Sequence, residues 1–402
     1  VSGYGDLLRT RGVARIIAAQ LTARFPSGML SLAYLIHVEG IFGSYGAAGL
    51  VLAATSVGQA VAGPLTSRWM GVWGMRPVIA LTIAVCASSM AAIAFVPMEL
   101  WGYMLVGLVG GLAYPPIQPA VRTIYPKMVN SRQLTPLFAI DASAQEIIWI
   151  AGPVMTTFVA TQVSTVAAIA LAGAFLLGGG VWFLASPELG RVRIPRSKRS
   201  FGAVLARPPV LLATVVGFLL VASCAAIEAA VVANFGKEGV EAGVILAIWA
   251  IGSLAGGLGF GQVPIGPWAL ARRMAVVFVG GAAAMFFLDF WGLAITLLIA
   301  GAGIAPALAV MFAIVSASVR FSDTAEAYGW VGTGQLIGAA LGSAAAGFLI
   351  DGFGASGGFA AGAAFAFAGM LIAIVFRRAH PDLRGRDASP LPDTEPVRLP
   401  VS

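Results

Sequence analysis

Residues 135–157 read TPLFAIDASAQEIIWIAGPVMTT, and this stretch decides how the chain is understood. It has the length and apolar content of a membrane helix, yet it carries two carboxylates, Asp141 and Glu146. It then meets Gly152-Pro153, where a bend is expected. A charge at the centre of a bilayer costs about 2.5–3.5 kcal/mol on insertion scales, so an acid kept inside such a helix is a functional candidate by default.

The surroundings support the membrane reading. The chain has 402 residues, 59% hydrophobic and only 10% charged. Soluble domains carry about 25% charged residues. Apolar runs long enough to cross a bilayer recur from end to end, so the fold class is all-α, a polytopic helical membrane protein. Fifty-one glycines suit helices that approach closely in lipid. Cys86 and Cys224 both lie inside apolar runs, so no disulfide framework is expected. The first apolar run reads as a mature membrane helix and not as a cleaved signal. The net charge of +7 does not indicate a nucleic-acid partner, because the basic residues sit in loops between spans.

Hydropathy predicts twelve spans, at 13–38, 45–67, 77–97, 100–122, 136–160, 164–185, 209–233, 241–262, 273–290, 291–319, 323–350 and 357–376. With the N-terminus cytoplasmic, the inner segments hold nearly all the Lys and Arg, and the outer loops hold only Lys237. This asymmetry predicts both termini in the cytoplasm of a multi-pass plasma (inner) membrane protein. The one long internal loop is basic and splits the spans six and six. The expected organisation is an N-terminal bundle (1–185), a cytoplasmic linker (186–208), a C-terminal bundle (209–378) and a disordered cytoplasmic tail (379–402). The halves echo each other. At an offset of 190 residues Gly111 matches Gly301, Pro116 matches Pro306 and Gln145 matches Gln335. A parallel repeat of this kind places a substrate site between the halves near mid-membrane.

Gly63-Pro64-Leu65-Thr66-Ser67-Arg68 followed by Gly74-Met75-Arg76-Pro77 resembles the signature loop between spans two and three of the major facilitator superfamily. Ser67 stands where that signature has an acid. Gly152-Pro153 is similar to the centre of the superfamily's exporter-associated motif, with Ile148, Thr156 and Thr157 in place of its other glycines. Tyr103 falls where span four of such exporters carries a buried Arg. The resemblance covers essentially the whole chain. It implies two pseudo-symmetric six-helix bundles, alternating access, a central cavity lined by spans 1, 4, 7 and 10, and often a monomer.

Candidate residues follow from helical spacing. Gln20, Arg24, Ser27 and Ser31 share a face of span one, and Asp141, Gln145, Trp149 and Gly152 share one of span five. Glu146 lies about 140° round the helix from Asp141, so the two acids cannot share a face. Arg24 and one of these acids are expected to form a proton-sensitive pair or a static ion pair. Asp141 has the further option of facing cytoplasmic water. Glu228, in the outer part of span seven, is a gate candidate or an interfacial acid. Asp323 and Glu326 read as helix-terminal acids, and Arg122 reads as a topology charge. Tyr34, Tyr114, Trp149, Trp249 and Trp330, with Gln118, are cavity candidates. Gly63, Arg68, Arg76, Gly152, Pro153 and Pro306 are conformational candidates, the prolines of spans four and ten being expected to break both helices. Neither a metal-ligand spacing, nor a phosphate-binding loop, nor a nucleophile-base-acid set is present, so no cofactor and no enzymatic activity are expected. The expected function is proton-coupled efflux of a small hydrophobic or amphipathic compound. Proton-coupled uptake of a polar nutrient, and a lipid-transporting or lipid-binding scaffold, are the alternatives.

Overall fold

The computed structural model describes residues 4–236, 240–261, 263–385 and 388–393; Lys237 lies outside them. Twelve long helical elements follow in order. The first bundle holds α1 (Val13–Phe42), α2 (Tyr45–Trp73), α3 (Met75–Phe95), α4 (Leu100–Met128), α5 (Ser131–Gln162) and α6 (Thr165–Ala185). The second holds α7 (Pro208–Phe235), α8 (Val240–Phe260), α9 (Ala269–Ala284), α10 (Phe290–Ser318), α11 (Thr324–Phe353) and α12 (Ala355–Val375). Eleven of the twelve are long and apolar enough to cross a membrane. The exception is α9, whose 16 residues reach about 24 Å at 1.5 Å per residue, short of a roughly 30 Å hydrocarbon core.

Local chemistry sets the helix ends. Ser44, Asn130, Ser164 and Asp289 cap α2, α5, α6 and α10, each accepting a bond from a backbone N–H three residues on. Gly43, at φ 63°, ends α1 in the left-handed conformation that glycine adopts without steric cost. Two helices are interrupted. A 3₁₀ turn at Phe25–Gly28, carrying Pro26, divides α1, and α4 loses its helix around Tyr114-Pro115-Pro116. Pro306 behaves differently from expectation: α10 runs continuously from Phe290 to Ser318 through it. The neighbours that enclose α10 hold the helix together there, and only the span-four break is real. At the break in α1, Gly28 meets Gly152 of α5, where an added Cβ on Gly152 would come within 2.8 Å of the Gly28 backbone. Gly152 is therefore a close-approach residue.

The bundles meet near the end of the molecule that carries the 186–207 connection, here termed the linker face. Arg68 of α2 pairs with Glu326 of α11 at 2.9 Å. About two turns further in, the Thr333 hydroxyl donates to the Ala60 carbonyl at 2.6 Å, and between these contacts Gly63 lies against Gly329. On the other side of the pseudo-symmetric pair, Ser143 and Ala139 of α5 press on Gly257 and Gly261 of α8. Toward the opposite face, Ser31, Trp149 and Glu228 are exposed. The molecule is closed at the linker face.

The described part of the tail differs from the expectation of disorder, while residues 386–387 and 394–402 lie outside the described residues. Leu383 N–H donates to the Ile265 carbonyl at 2.9 Å. Leu391 bridges residues 319–321, donating to Val319 and accepting from Phe321 at 2.9 and 3.1 Å. His380, Leu383 and Ala388 are buried. Residues 379–385 and 388–393 thus lie along the linker face of the second bundle, where apolar side chains spaced along a polar segment have somewhere to go.

Candidate functional site

The polar centre of the first bundle is built where α1, α4 and α5 meet. Asp141 of α5 is fully buried and accepts from donors on two other helices, α1 and α4. Arg122 Nε donates to Oδ2 at 2.9 Å. Gln20 Nε2 and the Tyr125 hydroxyl donate to Oδ1 at 3.1 and 3.0 Å. Arg24 stands 3.8 Å from the same oxygen. Its guanidinium donates to Gln20 Oε1 at 2.7 Å and also to Gln145 Oε1. The Gln118 amide, with its oxygen turned toward Arg122, accepts from Nη2 at 2.8 Å. A side chain with this many donors is held in place. The cluster contains two guanidinium groups and one carboxylate.

One correction to the sequence reading follows, and two of its open alternatives are decided. Arg122 is no topology charge: it is 2% exposed, pairs with Asp141, and lays its guanidinium 3.3 Å from the Phe312 ring of α10, in the other bundle. Asp141 does not face water. Arg24 pairs with Asp141 and the two glutamines, and Glu146 is elsewhere. The Arg122 stripe was visible as Gln118, Arg122 and Tyr125 at helical spacing, but a hydropathy window ends the span at the charge, whereas α4 continues to Met128.

Glu146 crosses to the second bundle. Its Oε1 accepts from the Ser253 hydroxyl of α8 at 2.9 Å, and no cation pairs with it among the described residues. Ser253 also accepts from the Ala305 N–H at 3.2 Å, so this hydroxyl ties α5, α8 and α10 together. Cys224 of α7 lies within electrostatic reach of both Glu146 and Glu228. Gly217, on the same face of α7, approaches Met311 and Gln335. Two carboxylates from opposite bundles therefore lie near one thiol at the seam between the bundles, here termed the central cleft; Trp149 is exposed, and Tyr114 lies near Arg24 and Ser27. The Ser27 hydroxyl turns back to the Arg24 carbonyl, while Ser31 is exposed.

Other candidates are placed apart from this cleft. Tyr34 is buried inside the first bundle, 3% exposed. Trp330 stacks on Phe201 of the linker, 5.6 Å between ring centroids, so it belongs to the linker face. Trp249 is half-buried on α8, its indole N–H without a partner, and its backbone carbonyl lies against Gly301. Arg76 reaches the Ser186 carbonyl at 3.4 Å. Glu326 is more than a helix-terminal acid. It takes Arg68 on one oxygen and the Gly202 N–H at 2.7 Å on the other, and Asp323 takes Ser197 at 2.6 Å and Arg199 at 3.6 Å. Ser67, where the resemblance leads one to expect an acid, donates to the Gly63 carbonyl. The latch is carried by Arg68 and the α11 acids, with the linker laid across it.

Comparison with known proteins agrees with this architecture. The Major Facilitator Superfamily profile matches residues 16–288 and 225–399. The chain belongs to the Major Facilitator Superfamily. It is therefore a membrane transporter by family and not an enzyme. No curated protein matches it by sequence. Among solved structures, one similar superfamily member is a bacterial homologue of the iron transporter ferroportin in its outward-facing state. It has TM-score 0.73 and 14% identity, over 91% of this chain and 99% of that one. The human organic anion transporter MFSD10 (TETRAN) gives TM-score 0.69 and 15% identity over 90% and 99%. The fucose:proton symporter of E. coli gives 0.70 and 14% over 90% and 98%. At these identities the likeness concerns the superfamily fold alone.

Proposed function

We propose that this superfamily member is a proton-coupled exporter of small amphipathic compounds, with Glu146 as the coupling acid. The observation that carries the reading is the contact of Glu146 with Ser253. A carboxyl at the seam between the bundles has a neutral partner and no compensating cation, so its charge is costly there unless water or cargo stabilises it. When the bundles separate at the linker face, Ser253 withdraws and Glu146 meets a different environment. Protonation is thereby linked to the bundle rearrangement. Asp141, fully satisfied inside one bundle, acts as the electrostatic anchor that keeps Arg24 and Arg122 in register.

The excess of Lys and Arg in the segments on the linker face supports a cytoplasmic location for that face and for both termini. The arrangement is then outward-facing, the state named for the bacterial ferroportin homologue. Trp149, with few polar groups around the cleft, favours an apolar body, and Glu228 favours a cationic head. A second reading, an anionic cargo, is favoured by the surplus guanidinium of the Arg24–Arg122–Asp141 cluster; one of the similar structures is named an organic anion transporter.

Proteoliposomes with an imposed pH gradient test the proposal. The panel contains lipophilic cations, neutral drugs, organic anions, sugars and fluorescent lipids. Gradient-driven movement of amphipathic cations, lost in Glu146→Gln, is the expected outcome. Flux of sugars alone, or undiminished coupling in that variant, would defeat it.

A further inference from the structure

A second site lies far from the central cleft, on the flank of the C-terminal bundle at the linker face. There a cavity of about 340 Å³ opens between the ends of α8 and α9 in front of Ala302 and Gly303 of α10. This volume falls at the low end of the roughly 300–1,000 Å³ typical of small-ligand sites. Its lining combines apolar Phe260, Trp268 and Val276 with basic Arg272, Arg273 and Arg384.

Two of these three charges, Arg272 and Arg273, have no carboxylate partner among the described residues. They are adjacent in the first turn of α9. Arg273 spends one Nη on the Ala269 carbonyl at 3.0 Å, and its Nε is buried without any partner. Arg384 comes from the tail and is held by Asp382 at 2.6 Å, which fixes its position. The tail is in turn fixed by the bond between Leu383 and Ile265. Trp268, 39% exposed, has Arg377 at 4.8 Å over its ring, the arrangement of a residue at the membrane–water boundary.

We infer that this cavity binds the headgroup of an anionic phospholipid. Arg272 and Arg273 line the cavity with no carboxylate beside them, and a phosphate oxygen is the acceptor whose geometry fits a guanidinium fork. Exposed Phe260 and Val263 at the rim give the acyl chains an apolar path, which a free inorganic anion does not use. Basic pockets between membrane helices are a general means of holding such headgroups. The inference adds a lipid site to the transporter and does not depend on the cargo or on the role of Glu146.

The test uses the full chain in detergent, with thermal unfolding measured in the presence of phosphatidylglycerol, phosphatidylcholine or inorganic phosphate, and with bound lipid counted by native mass spectrometry. The expected result is a rise in melting temperature with phosphatidylglycerol that phosphatidylcholine and phosphate do not produce. In Arg272→Gln/Arg273→Gln that rise is lost, together with one retained phosphatidylglycerol. Arg272→Lys/Arg273→Lys keeps part of it, and Arg193→Gln on the linker keeps all of it. Equal protection by inorganic phosphate or by phosphatidylcholine would overturn the assignment. So would the same loss in Arg193→Gln, or full lipid retention in the double Gln variant. The lipid count reads occupancy even where the variant is less stable.

Discussion

At the scale of single residues, the two acids of α5 take opposite parts because of their surroundings. Asp141 is a buried anchor, held by Arg122, Gln20 and Tyr125. Asp141→Asn leaves Arg122 buried beside a neutral amide, and removing one partner of a buried pair costs roughly 3–5 kcal/mol. A large fall in melting temperature or in folded yield is the expected outcome. Glu146→Gln keeps a side chain that still accepts from Ser253, so this variant is expected to fold at near wild-type stability while losing gradient-driven flux. The opposite pattern, a stable Asn variant without coupling, would transfer the coupling role to Asp141. His380 carries a pH prediction of its own. Burial, followed by the nearby charge of Arg273, lowers its pKa below the usual 6.5, with the Pro381 carbonyl and Asp382 opposing. Its contribution is therefore present above about pH 6.5 and is lost as the pH falls through the lowered folded value. The hydrogen-exchange protection factors of residues 379–385, taken relative to the intrinsic rate at each pH, should be lower at pH 5 than at pH 7.5, and His380→Gln should flatten that difference.

At the scale of elements, the linker-face latch joins α2 to α11 through Arg68 and Glu326, with Gly202 and Arg199 of the linker on the same two side chains. The Ser67 departure from the superfamily pattern is accommodated because Arg68 finds its acid on α11. Arg68→Ala removes this pair and the contact with the Phe201 ring, 5.9 Å away. A shift toward opening at the linker face should follow. A cysteine introduced at Ser143, buried in the closed arrangement, is then expected to be alkylated several-fold faster in the Arg68→Ala background. An unchanged rate would mean that α5 and α8 hold the face shut without help from the latch.

At the scale of the whole molecule, alternating access requires the two seams to open together. Ser143 and Gly257 face each other across the α5–α8 seam closely enough that a Cβ on Gly257 meets the Ser143 hydroxyl. Oxidised Ser143→Cys/Gly257→Cys should stop transport, with recovery on reduction; continued flux in the cross-linked form would exclude rigid-body rocking as the mechanism. Much of this architecture was readable along the chain. Span number, order and approximate ends follow from hydropathy, because transfer from water to hydrocarbon is a local, nearly additive property of each segment. The superfamily likewise followed from local motifs, Gly63 to Arg76 and Gly152-Pro153. The partners of the charges did not. Whether Arg24 met Asp141 or Glu146, that Arg122 continued the membrane helix instead of ending it, and that Glu326 closed a latch depended on helix rotation and depth, which are set by packing between segments distant in sequence. The tail's place depended on grooves that exist only once α9, α10 and α11 are assembled. Hydropathy reads a charge as the end of a span. Folding can keep it inside, because several helices supply at one point the donors and acceptors that no single helix contains.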